Sequence, residues 1–148
     1  MVQIKILDRR LGSMYKLPEY ETPGAAAVDL RMMGDKKIHL MPDESYLCST
    51  GISISMEPEM AAIILPRSSW GCKGLNLNNS VGLIDPDYQG VIKLSLVNRG
   101  RGTFSIDVGD RVAQMMFLNF KRVQFEVVNE FNTITQRGQK GFGSTGKR

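Results

Sequence analysis

Short runs of alternating apolar and polar residues fill most of this chain, and each run is cut off by a cluster of Gly, Pro, Asp or Asn. The runs are VQIKIL, AVDLRM, KIHLM, SYLCSTGISISM, MAAIILP, VIKLSLVN, TFSIDV, RVAQMMFLNF and VQFEVV. In VIKLSLVN, Ile92, Leu94 and Leu96 fall on one face while Lys93 and Ser95 take the other, as in a half-buried antiparallel strand. No stretch sustains a helical period for more than a turn or two. The pattern predicts about nine short strands in an all-β jelly roll, a β-sandwich barrel whose loops must carry the chemistry.

At 148 residues the chain fits one domain with a real core. Residues 1–130 are expected to form the barrel. Residues 131–148 are glycine-rich and poor in apolar residues, the composition of a flexible C-terminal arm. No apolar run approaches the roughly 18 residues of a membrane span, and the start, MVQIKILDRR, reads as a first strand rather than a signal peptide. Cys48 and Cys72 are too few for a disulfide framework, which points to a reducing, intracellular (cytoplasmic) setting. A single histidine, His39, and no cysteine pair at ligand spacing argue against zinc.

The formal charge of +4 is localised. Four of the 19 basic residues (Arg137, Lys140, Lys147, Arg148) and none of the 15 acidic ones lie in residues 136–148, so the body is charge-balanced. A duplex-binding protein usually carries a basic stripe on a folded face, and stable nucleic-acid binding is not expected. The tail suits either a small polyanion or simple solvation.

Against this frame, GLIDPDYQG at 82–90 is unusual: two acids and a phenol lie between two glycines, in what the flanking runs suggest is a β-hairpin loop. Asp, Pro and Gly are ordinary turn residues, so the stretch alone is also readable as a polar turn. PRSSWGCKG at 66–74 groups Arg67, Ser68 and Ser69, the donors of a phosphate cradle, after an apolar strand. GDRVAQ at 109–114 opens a strand, AAAVDLR at 25–31 places one acid, Asp29, inside another, and RGQKGFGSTG at 137–146 has glycine-loop character without Walker spacing.

In order and spacing these five stretches resemble the motifs of the homotrimeric dUTPase family, from about residue 2 to residue 146. The resemblance implies a dUTPase-like jelly roll that hydrolyses dUTP to dUMP and pyrophosphate with Mg²⁺, limiting uracil incorporation into DNA. It implies Asp85 as the base that activates water. By the same resemblance Tyr88 is expected to pack on the deoxyribose and exclude a 2′-hydroxyl, and Asn79 to read the uracil with hairpin backbone. Arg67, Ser68, Ser69 and Gln114 are expected to contact phosphate, and Asp29 to act indirectly toward the metal or to brace neighbouring loops. Arg137, Gly143, Ser144 and Thr145 would belong to an arm that grips the terminal phosphates, with Phe142 stacking on the base. The resemblance further implies a homotrimer in which three chains contribute to each site.

Some residues depart from the family pattern: Ser69 and Trp70 after the arginine and serine of the second motif, Asn78 where glycine or alanine is common, Ala27 in place of a frequent glycine, and Lys140 in place of the first glycine of the arm's Gly-Gly pair. Trp70 could pack internally, lie at a subunit contact or serve a partner. Two other functions compete: a nucleotide-gated regulatory protein on the same scaffold, and dCTP deaminase, which requires a glutamate acid/base that this turn lacks.

Overall fold

The computed structural model describes residues 1–140. Among them the chain forms eleven strands and one helical turn: β1 (Gln3–Ile6), β2 (Val28–Arg31), β3 (Ile38–Leu40), β4 (Ser45–Ser49), β5 (Ile52–Ser55), β6 (Met60–Pro66), α1 (Ser68–Gly71), β7 (Leu75–Leu77), β8 (Gly82–Ile84), β9 (Lys93–Asn98), β10 (Phe104–Ile106) and β11 (Arg111–Asn119). All pairings between these strands are antiparallel. A four-stranded sheet runs β2-β11-β6-β8, a three-stranded sheet β4-β9-β7, and two ribbons pair β1 with β5 and β3 with β10. This is the expected all-β jelly-roll class. No helix among the described residues is long and apolar enough to cross a membrane.

One core unites the sheets. Leu30 of β2, Ile64 of β6 and Met115 of β11 meet Cys48 of β4, Leu94 and Leu96 of β9 and Leu75 of β7 in the same buried cluster. Burial of this apolar surface is the main favourable term of the fold. Asn98, fully buried at the end of β9, joins the edges: its amide donates to the Leu40 and Gly102 carbonyls and its Oδ1 accepts from the Gly100 N–H. A buried amide with these bonds satisfied stabilises the corner it closes, whereas one without them would cost a few kcal/mol.

Three expectations need correction. The run SYLCSTGISISM is two strands, because Gly51 at φ 72° turns the chain between them and a Cβ there would stand 2.8 Å from the Asp8 Cβ. The segment 123–128, VQFEVV, is not a strand, although its alternation is clear: Val123, Phe125 and Val127 are 65%, 91% and 98% exposed. Alternation prepares a strand, but only a ladder partner makes one, and the described residues supply none there. Finally, the 82–90 stretch is not the loop of a two-stranded hairpin, since β8 pairs with β6 and β9 with β4 and β7. It is a corner that carries the chain from one sheet to the other.

Candidate active site

The central sheet assembles the first cluster. In the register of β11, Gln114 lies opposite Asp29 of β2 on one side and Leu65 of β6 on the other, so three distant sequence stretches form one row. The Gln114 Nε2 donates to the Pro66 carbonyl at 3.0 Å, at the point where β6 ends and Arg67 begins. Arg67 turns back over the sheet, and its Nε lies 2.7 Å from Asp29 Oδ1, while Arg111 Nη1 lies 3.0 Å from Asp29 Oδ2 and 2.7 Å from Glu21 Oε1. Asp29 thus clamps two guanidinium groups with its two oxygens and is itself well shielded, at 15% exposure. Ser68 and Ser69 stand exposed beside Arg67 at the start of α1.

A break in the ladder supplies a further acceptor. The register of β11 with β2 shifts between Arg111 and Ala113, and pairing with β6 begins only at Ala113. At this irregularity the Arg111 carbonyl accepts from side chains: Arg67 Nη1 at 3.1 Å and the Trp70 indole Nε1 at 3.0 Å. Nε and Nη1 of the Arg67 guanidinium are therefore engaged by the protein, and among the described residues its Nη2 has no hydrogen-bond partner, which leaves that edge to an oxyanion. Trp70 is half-buried against the core, with its ring edge-on to Phe104 at 5.8 Å.

The second cluster is the corner between β8 and β9. Asp85 is exposed where β8 ends, and the Tyr88 N–H closes the turn on the Asp85 carbonyl at 3.1 Å. The Tyr88 hydroxyl donates to the Val91 carbonyl at 2.9 Å, which lays the ring along the backbone of the turn. Leu83, Ile84, Asp85, Tyr88 and Lys93 line a shallow pocket of about 250 Å³. Asn79 is exposed on the preceding turn, between β7 and β8, where the Asn78 N–H is tied to the Ser95 carbonyl at 2.7 Å.

The two clusters are separate within one chain. Ile84 pairs with Ala62, which places Asp85 at the opposite end of β6 from Arg67. At about 3.3 Å per residue, the intervening strand spans roughly 20 Å. Arg137 is farther along the exposed segment after β11, with its Nε donating to the Lys140 carbonyl at 3.0 Å. Phe142, Gly143, Ser144 and Thr145 lie outside the described residues. Sequence reasoning missed the site contributions of Arg111, Glu21 and Lys93. Arg111 sits in GDRVAQ and was within reach of that reading, whereas Glu21 and Lys93 carried no local signal.

Comparison with known proteins fits this geometry. The sequence profile of the dUTPase family matches residues 14–146. The deoxyuridine 5'-triphosphate nucleotidohydrolase of Coxiella burnetii is 50% identical over 99% of this chain and 97% of its own length, and that of Shewanella amazonensis is 46% identical over 99% and 97%. The solved structure of the Staphylococcus bacteriophage 80alpha dUTPase with dUPNHPP superimposes with a TM-score of 0.87 at 22% identity, over 99% of this chain and 98% of that one, which establishes the shared fold. With the motif residues of three strands gathered around Arg67 and a relative at 50% identity over nearly its whole length, the chain belongs to the dUTPase family.

Proposed function

We propose that this protein hydrolyses dUTP to dUMP and pyrophosphate, with Asp85 as the base that orients and deprotonates the attacking water. The observation that carries the assignment is the corner pocket in which Asp85 and Tyr88 face the same space. An exposed carboxylate beside a fixed phenol can hold water next to a phosphorus centre while the ring meets the sugar. Tyr88 rejects a 2′-hydroxyl sterically, Asn79 and nearby backbone read the uracil, and Arg67, Ser68, Ser69 and Gln114 receive phosphate oxygens. Residues 1–130 make the barrel domain, whose last strand among the described residues ends at Asn119, and 131–148 an arm, through which Arg137 and the residues after it, Phe142, Gly143, Ser144 and Thr145, close on the nucleotide.

Among the described residues no group of three His, Cys, Asp or Glu could hold a metal ion, and both oxygens of Asp29 lie on arginines. The described side chains of one chain therefore offer no ready-made magnesium site. In this reading Mg²⁺ is carried by the triphosphate, whose charge it neutralises, and Asp29 serves it only indirectly by fixing Arg67 and Arg111.

The enzyme works as a homotrimer with shared sites. Two features support this: the roughly 20 Å of β6 between Asp85 and Arg67, too far for one phosphorus centre to meet both, and the bare alternating face of Val123, Phe125 and Val127, which a second copy can complete as a strand. The test is pyrophosphate release from dUTP, dCTP, dTTP and UTP by the native chain and Asp85→Asn in the presence of Mg²⁺. Release confined to dUTP and slowed about a hundredfold or more by the substitution is the expected result. Release from dUTP at an undiminished rate in Asp85→Asn would remove Asp85 as the base.

A further inference from the structure

We infer that Trp70 is a positioning residue for Arg67, and through it for the triphosphate; the inference rests on the phosphate role proposed for Arg67. The indole N–H and the Arg67 Nη1 converge on one oxygen, the Arg111 carbonyl, at 3.0 and 3.1 Å. That carbonyl lies where the register of β11 slips, so ladder pairing does not fix it as it fixes Ala113 and the residues after it. Trp70 fixes it instead, from a ring anchored edge-on to Phe104 of β10. The guanidinium is planar and rigid, so holding its Nε on Asp29 and its Nη1 on this carbonyl sets the direction of the remaining edge. An arginine aimed in advance loses less conformational freedom when it takes up a phosphate oxygen.

The sequence places Trp70 three residues after Arg67, and it is the chain's sole tryptophan. The one-turn helix α1 between them brings the two side chains to the same carbonyl, with the Trp70 and Gly71 N–H groups both closing on the Arg67 carbonyl at 3.1 and 2.8 Å. Phenylalanine at position 70 keeps a ring against Phe104 and removes only the donor. Benzothienylalanine, isosteric with tryptophan but lacking the N–H, does so with less change in packing.

The experiment measures KM and kcat for dUTP, and inhibition by deoxyuridine, in the native protein, Trp70→Phe, the benzothienylalanine protein, Arg67→Gln and the Trp70→Phe/Arg67→Gln double variant. Loss of the indole donor is expected to raise KM for dUTP about fivefold, the size of one neutral hydrogen bond, while deoxyuridine, which has no phosphate, inhibits as before. The double variant is expected to be no weaker than Arg67→Gln alone. Parallel weakening of deoxyuridine would make Trp70 a general packing residue and overturn the inference, as would losses that multiply in the double variant. An unchanged KM in both donor-deleted proteins overturns it as well. If Arg67→Gln alone leaves KM unchanged, the phosphate role of Arg67 falls, and the inference with it.

Discussion

A Cβ added at Gly90 would stand 2.6 Å from the Tyr88 hydroxyl oxygen and 2.7 Å from the ring carbon that bears it. Gly90 does not occupy the left-handed region, so it is required for space rather than for backbone freedom. The missing side chain lets the phenol lie along the turn and reach the Val91 carbonyl. Gly90→Ala should displace the ring and break that hydrogen bond. The expected outcome is a fall of about tenfold in the ratio of kcat/KM for dUTP over UTP, with the unfolding midpoint little changed. An unchanged ratio would show that the position of Tyr88 does not set sugar discrimination.

Replacing Asp85 by Asn keeps the size of the side chain and removes its basicity. A general base contributes about 10²–10⁴ in rate, and kcat should fall by that much. Binding of dUPNHPP, measured by calorimetry, should persist, because the proposed phosphate contacts, Arg67 and Gln114, lie elsewhere. Loss of binding together with turnover would instead make Asp85 a binding residue.

Asp29→Ala leaves two guanidinium groups, 25% and 36% exposed, facing each other without their shared carboxylate. The ion pairs are only partly shielded, so the cost should fall below that of a fully buried pair, at about 1–3 kcal/mol in urea unfolding. KM for dUTP should rise as well, since Arg67 loses one of its two anchors. Asp29→Asn should retain part of both effects by keeping hydrogen-bond acceptance. Equal behaviour of the two variants would show that the charge alone matters.

Burial pushes the Cys48 thiol up to about 11 from its ordinary 9.0, whereas Cys72 is exposed. A disulfide-exchange reagent at pH 8 should therefore modify one thiol per chain in the native protein and two after unfolding. The folded protein favours the neutral thiol, so the stability this provides is complete below pH 9 and is lost as pH rises through about 11. Its full size is at most about 3 kcal/mol. The check is to compare urea midpoints of the native protein and Cys48→Ala between pH 8 and 11, where the gap between them should narrow. A constant gap would mean that the thiol does not ionise differently on folding.

Several elements were legible in the residues themselves. The alternation of β2 and β9 marks which side chains enter the core, because a strand's side chains must alternate whatever it pairs with. The motif strings likewise carry Asp85, Tyr88, Arg67 and Gln114 as written, since each is a local pattern of residue types. The short strands β7 and β8 were missed, because three residues among turn formers hold too little pattern to read. The role of Asn98 was hidden too, since its partners, Leu40 in particular, are remote in sequence.

Local chemistry and periodicity thus determined, from the sequence alone, the all-β class and the faces of the strands, while the motif strings pointed by resemblance to the residues proposed for the reaction. Pairing and register were decided only in the tertiary structure. The slip at Arg111 creates the acceptor shared by Arg67 and Trp70, and the row of Asp29, Gln114 and Leu65 exists only because β11 lies between β2 and β6. The corner at 82–90 switches sheets rather than closing a hairpin, and the alternating segment 123–128 has no strand partner among the described residues of its own chain. The physical reason is common to all of these. Side-chain alternation specifies which face a residue takes, but which strand lies alongside is settled by contacts between residues far apart in the chain, which compete only once the core has formed.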